Sequence, residues 1–405
     1  MAGVLEGVRA VEWAAFGNGP IIGVLLGNLG ADVIKIERRL IGDPTRGTKS
    51  LYGTALDTPQ GRNLLFESAN LNKRSLALDL NKEGGKKIFY RLIEHSDIFY
   101  TNYFEDSASK IGLDYQNLSK HNSRLIYASA SGYGSKGPDR SKRAFDPAVL
   151  ARSGMMMSAG ERGQPPVQIV GAIVDTQGAL MTVMGILGAL FVRESKGIGQ
   201  KIEASMLAGM SWLQYTNFFI TLMRGRELAR HSRLGTKNPL TNFYRCKDEK
   251  WLLFAEIQSD RYWSEFCDAV GITEHRDDER FSDSMKRREN TAELIVILDR
   301  IIASKTREQW LDIFKSKGVG FAYEVINSVS DLIDDRQMLE SEIIVPYEHA
   351  LFGDVRLLNF PVKFNATPAE VKSHAPELGQ HTEEVLLEIG YSWEDISRLS
   401  DEEVI

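Results

Sequence analysis

One carboxylate stands at the edge of a long apolar run. In "QIVGAIVDTQGALMTVMGILGALFV", residues 168–192, Asp175 is the only charged side chain. Two uses fit that placement. As a helix N-cap, an aspartate accepts backbone N–H groups that have no partner in the helix. As a nucleophile, a carboxylate in a low-dielectric setting is poorly solvated and reactive, and helix N–H groups can keep it ionised. The local pattern leaves both open. Other reactive constellations are missing: the 7 histidines are scattered without HExxH spacing, and no GxSxG elbow or Ser-His-Asp set is visible. Carboxylates are what remains for chemistry. No metal site is expected.

The elements that must position Asp175 follow from periodicity. "VRAVEW" reads as a strand, "AAFGNG" as a turn of small residues, and "IIGVLLGNLG" as a helix with Pro20 at its head and Gly30 past its end. "DVIKIE" (Asp32–Glu37) is a second strand. "RSLALDL", "DIFYTN" and "LIYASASGYG" continue the series, with Asn81 as a cap for the helix between the first two. Strands alternating with helices predict an α/β fold with a parallel sheet, whose ligands sit beyond the carboxyl ends of the strands. Those ends carry Phe16–Gly19, Glu37–Arg39, Asn102 and Gly132–Gly137. "VQIVGAIV" reads as strand-like, with the long helix starting near Thr176.

Two glycine turns invite nucleotide readings. In "GNGPIIG", Gly17 and Gly19 follow a strand and Glu37 ends the next, but Gly23 falls one residue late for a dinucleotide fingerprint. "GYGSKG" lacks the GK[ST] ending of a phosphate loop and reads as a turn.

Composition narrows the class. With 405 residues, 43% hydrophobic and 26% charged, the chain suits a soluble globular protein of two domains. A net charge of −6 gives no general attraction to nucleic acid or anionic membrane. The 2 cysteines have no CxxC spacing, which argues against a disulfide framework and for a cytoplasmic setting. No signal peptide is evident, and the uncharged run closed by Arg193 and Glu194 is short for a membrane span. Pattern changes place domain boundaries at 1–224 for a large domain, 225–325 for a small α+β domain, and 326–405 for a returning segment that completes the first.

Taken together, "LEGVRAVEWAAFGNGP", "LGNLGADVIKIERRLIGDPTRG", "NKRSLALDL", "LIYASASGYGSKGP", "FDPAVLARSGMM", "VDTQGALMTVMGILGAL", "GQKIEASMLAGM" and "LGQHTEEVLLEIGYSWEDI" resemble a family III CoA-transferase, in order and over nearly the whole chain. That family includes formyl-CoA transferase, carnitine CoA-transferase and the α-methylacyl-CoA racemases. The resemblance implies a Rossmann-like large domain, a smaller inserted domain and an interlocked dimer. It implies that Asp175 is the catalytic nucleophile, passing through aspartyl anhydride and aspartyl-CoA thioester intermediates. Coenzyme A thioesters are then substrates, with no tightly bound cofactor. It assigns CoA contacts to Ala15, Phe16, Arg38, Lys73, Arg74, Asn102, Lys110, Arg143 and Met206, and a mobile active-site loop to Gly160, Gly163 and Gln164.

Two departures from the family pattern carry information. "NYFEDSASKIGL" has Phe104 where an arginine is usual, followed by Glu105 and Asp106. This motivates an alternative in which the chain is a non-catalytic subunit beside a related one. Phe145 stands where the racemases have a histidine base, and a phenyl ring cannot move a proton. The reading is therefore CoA transfer rather than the alternative of an α-methylacyl-CoA racemase. Aromatic or dicarboxylic acids, such as benzylsuccinate with succinyl-CoA as donor, are the acids considered.

Overall fold

The computed structural model describes residues 2–405. The chain divides into two compact units: Met1–Met156 with Gln168–Leu228 and Glu342–Ile405, and Met157–Val167 with Ala229–Ser341.

The first unit is built on six strands: β1 (Arg9–Trp13), β2 (Asp32–Glu37), β3 (Lys73–Ala77), β4 (Ile98–Thr101), β5 (Ile126–Ser131) and β6 (Gln200–Ser205). They lie in the order β3-β2-β1-β4-β5-β6, and every pairing is parallel. This is the doubly wound order, with its switch point between β1 and β4. Val11, Ile34 and Phe99 belong to the core on one face of the sheet, and Ala10, Val33 and Ile98 to the core on the other. Strands covered on both faces read as near-continuous apolar runs, which is the pattern of "DVIKIE".

Helices cover both faces. On one, α1 (Asn18–Asn28) packs against the long α5 (Ile173–Lys196). Small residues permit close packing: Gly23 lets α1 approach the sheet, where a Cβ would overlap Tyr100, Glu12 and Lys73, and a Cβ on Gly178 of α5 would meet Asn18 and Met206. Helix α5 is long and apolar enough to cross a membrane by length and composition. Here Ala179, Val183, Ile186 and Leu190 are buried in the sheet core, and Arg193 pairs with Asp97 at 2.9 Å. On the other face, α2 (Glu83–Glu94) packs with the C-terminal helices Thr382–Glu388 and Trp393–Asp401, burying Ile88, Phe89, Leu386 and Leu399.

Three local expectations are corrected. Residues 168–172 form no strand, and α5 begins at Ile173, behind Ala172 in a left-handed conformation (φ 55°). The apolar stretch at 169–174 is interrupted by Gly171 and Ala172 and pairs with no neighbouring strand, and Ile173 and Val174 enter the helix. Asn81 does not cap α2; Lys82 holds that position without a side-chain bond, and Asn81 turns to Asp79 instead. Strand β3 ends at Ala77 rather than Leu80, which moves the carboxyl edge of the sheet to Leu78.

The second unit contains a three-stranded antiparallel sheet of β7 (Thr241–Arg245), β8 (Trp251–Ala255) and β9 (Tyr323–Ile326), in the order β9-β8-β7. Its core is aromatic, with Phe254, Phe266, Trp310, Phe314 and Phe321 buried together under amphipathic helices.

Candidate active site

The switch point is closed by an amide. Asn102, just past β4, accepts from the Ala15 N–H at 3.1 Å and donates to the Ala15 carbonyl at 2.7 Å. This pins the turn after β1 to the end of β4. Phe16 follows in a left-handed conformation (φ 67°), costly for a bulky residue and characteristic of functional turns. Gly17 comes next, and its lack of a side chain is required: a Cβ there would overlap the Asp175 carboxylate.

Asp175 therefore lies at the amino end of α1. It is the third residue of α5, and another acid takes the capping role considered for it. The Asp146 Oδ2 accepts from the N–H groups of Val174 (2.8 Å) and Asp175 (3.1 Å). Asp146 is itself buried at the start of α4 (Asp146–Arg152), and its Oδ1 has no hydrogen-bond partner. The Asn18 side chain donates to the Asp175 carbonyl at 2.9 Å. Buried Val149, Leu150, Val174, Met206 and Met210 form an apolar floor.

These neighbours set the acidity of the nucleophile candidate. Burial, and then the nearby Asp146 charge, raise Asp175 to about 7; the Asn18 backbone N–H opposes them. Among the described residues no ion pair reaches it. A carboxylate without a counterion is a stronger nucleophile than a surface aspartate, and is ionised only in part at neutral pH.

Beyond β1, β2 and β3 opens a cavity of about 690 Å³, a size that accommodates a cofactor-sized ligand. Ala14, Ala15, Arg38, Arg39, Leu78–Asn81 and Tyr103 are among its lining residues. Arg38 is exposed at the cavity. A second cavity of about 310 Å³, lined by Ser129, Ser131, Ser135, Arg140 and Glu203 among others, shares Tyr103 with the first. Glu105 of α3 (Glu105–Ile111) is neutralised by Lys201 at 2.8 Å, so one of the two unusual acids there is paired.

Eight of the expected site residues fall into three sets. Ala15, Phe16, Asn102, Met206 and Asp175 come together around the turn, with Met206 packed on Gly178, one helical turn from Asp175. Arg38 joins the adjoining cavity. Arg143 is exposed just ahead of α4, and Lys110 is exposed on α3 outside both cavities.

Lys73 and Arg74 do not join the site. They begin β3, away from the carboxyl edge. Lys73 is fully buried, its ammonium held by Pro20 O (2.7 Å), Ala69 O (2.7 Å), Asn70 Oδ1 (3.0 Å) and Glu12 (2.8 Å). Arg74 is held by Asp32, Glu384 and Glu388. Both cations are used in holding the fold. Glu37, the candidate ribose acid, is likewise committed, accepting from Nε and Nη2 of Arg46 and from the Ser75 hydroxyl.

Gly160, Gly163 and Gln164 belong to the second unit. Both glycines are left-handed (φ 81° and 80°), and the Gln164 carbonyl accepts from Arg230 at 2.7 Å. Arg233 N–H donates to Glu161 at 2.8 Å, so the loop is fastened to the 230–233 segment.

Sequence reasoning placed Gly17 only in a nucleotide-like turn and Asn81 only as a helix cap, and gave no site role to Asp146, Leu78–Leu80 or Glu403, the last of which also lines the larger cavity. Asp146-Pro147 at the head of an apolar segment was a usable signal, since Asp and Pro both favour the first turn of a helix.

Comparison with known proteins gives consistent matches. The family model described as CoA-transferase family III matches residues 5–382. (R)-2-hydroxy-4-methylpentanoate CoA-transferase of Clostridioides difficile is 30% identical over 405 residues, covering 99% of each chain. Cinnamoyl-CoA:phenyllactate CoA-transferase of Clostridium sporogenes is 28% identical, over 99% of this chain and 97% of that one. The crystal structure of a CaiB/BaiF family protein from Brucella suis superposes with a TM-score of 0.86 at 28% identity, covering 96% of this chain and 100% of the other.

Proposed function

The chain belongs to CoA-transferase family III, and from that premise we propose that Asp175 carries the transfer of CoA from an acyl-CoA donor to a carboxylic acid. The observation that supports this reading is the carboxylate itself: desolvated, beside Gly17 at the amino end of α1, and without a counterion.

In the first step an Asp175 oxygen attacks the thioester carbonyl. The carbon–sulfur bond breaks, leaving an aspartyl–acyl mixed anhydride and CoA thiolate. The thiolate then attacks the aspartyl carbonyl carbon, releasing the donor acid and forming an aspartyl-CoA thioester. The acceptor carboxylate displaces CoA through a second anhydride, and the returning thiolate attacks the acceptor's carbonyl carbon. One acid leaves, one thioester forms, and Asp175 is regenerated with no net proton change. Splitting the exchange into acyl-transfer steps is the advantage of covalent catalysis. The Asn18 N–H at the helix end favours the ionised attacking form. The larger cavity, with Arg38 beside it, would hold the nucleotide part of CoA, and Ala15, Phe16, Asn102 and Met206 would flank its thiol end.

The acid pair belongs to the same proposal. 2-Hydroxy-4-methylpentanoate and phenyllactate, from the relatives' names, join benzylsuccinate with succinyl-CoA as the pairs to assay. Incubation with each acyl-CoA, trapping with hydroxylamine or borohydride and peptide mass spectrometry tests the nucleophile. Modification confined to Asp175 is expected. Transfer that persists in Asp175→Ala, with no adduct in the wild type, would overturn the assignment.

An interlocked dimer is supported by the apolar side chains that α6 (Met206–Leu213) and α7 (Tyr215–Arg224) leave exposed in the single chain, including Trp212, Phe219, Leu222 and Met223. Light scattering of the purified chain should give twice the monomer mass. A monomer that dimerises only with a related subunit would point to the heteromer instead.

A further inference from the structure

Two exposed aromatic rings stand on the segments that hold the nucleophile. Phe16 is 45% exposed and Phe145 55% exposed, and they meet edge to face at 5.7 Å between centroids. Each adjoins a residue that touches Asp175: Gly17 abuts its carboxylate, and Asp146 accepts its N–H. The rings thus come from the two segments that bracket the carboxylate. Large apolar side chains gain nothing from water, and Phe16 in addition holds an unfavourable left-handed backbone. Both observations fit a surface kept open for an apolar ligand.

The charge beside the nucleophile disfavours a further carboxylate there. The side-chain charge that perturbs Asp175 is another carboxylate, and no lysine or arginine is among its perturbing neighbours. A substrate that set a second carboxylate beside Asp175 would meet the like charge of Asp146. An aryl or branched alkyl group would cover both rings and exclude water from the thioester carbonyl.

We propose that Phe145, backed by Phe16, forms the acyl-binding wall of this site and selects bulky apolar monocarboxylic acyl groups, aryl or branched alkyl, over acetyl and over dicarboxylic acyl groups such as succinyl. The proposal rests on Asp175 as nucleophile and names the substrate class of that site. It narrows the acids considered above: the aromatic part of benzylsuccinate fits the wall, whereas a succinyl donor does not.

The test is single-turnover acylation of the full-length protein, followed by hydroxylamine trapping at Asp175. The donors are 3-phenylpropanoyl-CoA, 4-methylpentanoyl-CoA, acetyl-CoA and succinyl-CoA. The wild type should acylate at least about tenfold faster with the phenylpropanoyl than with the succinyl thioester. In Phe145→Ala that ratio should fall by about tenfold, and Phe145→Leu should retain part of it. Phe145 is largely exposed, so neither variant removes core packing. A wild-type preference for succinyl, or a ratio that changes by less than about threefold in Phe145→Ala, overturns the wall while leaving the nucleophile intact. Absence of any adduct at Asp175 from all four thioesters overturns the nucleophile, and the wall with it.

Discussion

Two groups of carboxylates lie along the same edge of the sheet, and their surroundings are opposite. Behind the turn after β1, Glu12 and Asp43 are buried around Lys35, whose ammonium bonds Glu12 at 2.6 Å, Asp43 at 2.9 Å and the Ala14 carbonyl at 3.1 Å. Burial alone would raise Asp43, but Lys35 and the Thr45 N–H outweigh it and hold the acid below its ordinary range. Glu37 is held low in the same way by Arg46 and Lys35. Glu12 also takes Lys73 and the Tyr100 hydroxyl. In front of the turn, Asp175 has burial and Asp146 but no cation, and its acidity moves the other way. The same residue type is a fixed strut in one place and a reactive group in the other. The difference lies in whether a cation was placed beside it.

Removing the reactive member breaks the contrast most sharply. Asp175→Ala should lower transfer by about 10⁴-fold with the fold intact, read by steady-state kinetics beside circular dichroism. Next is the cation of the paired group. Lys35→Met leaves Glu12 and Asp43 facing each other without their shared partner, and should cost about 3–5 kcal/mol in urea unfolding, more at pH 8 than at pH 5. Loss below about 1 kcal/mol would mean that the cluster contributes little.

A finer cut adjusts Asp175 without removing it. The attacking form is the carboxylate, so the acylation rate should rise with pH and be half-maximal near the Asp175 value of about 7. Asp146→Asn removes the neighbouring negative charge and should move that profile to lower pH by up to about one unit. An unmoved profile would mean that burial alone sets the acidity. The smallest effect is on stability. Asp175 has a folded value of about 7 against an ordinary 3.8, so the folded protein binds the extra proton. That charge costs nothing below 3.8, costs more as pH rises to about 7, and costs its full amount above. Discounted for its partial exposure, Asp175→Asn should stabilise the protein by about 1 kcal/mol at pH 8 and leave it unchanged near pH 4.

The sheet was legible in the sequence, because strands covered on both faces announce themselves as apolar runs. "DVIKIE" forms its strand over the residues read, and "DIFYTN" and "LIYASASGYG" theirs with small shifts. The ends of strands were less legible. "RSLALDL" gave no sign that pairing stops at Ala77, so Leu78–Asn81 were not read as site residues, while Lys73 and Arg74 entered as CoA contacts from the family resemblance alone. A cation in a strand looks the same in sequence whether it faces solvent or a buried acid; Lys73 is saturated by groups from α1, the segment before β3 and Glu12 on β1, and that convergence is a property of the fold. Asp175 was legible as an isolated charge. Its setting was not, since the acid that bonds its N–H comes from 29 residues away.

The larger cavity has one wall from the far end of the sequence. Glu403 lines it, the Val404 carbonyl accepts from Asp79 at 2.8 Å, and Lys82 reaches the Glu402 carbonyl across 320 residues. During synthesis the early strands must therefore wait, with their carboxyl edge and the face under Ile88 and Phe89 uncovered, while the intervening chain is made. Contacts of such sequence separation form late and leave apolar surface open to wrong partners. The cellular yield of active protein should thus depend on Glu402–Val404 as much as on the residues around the nucleophile.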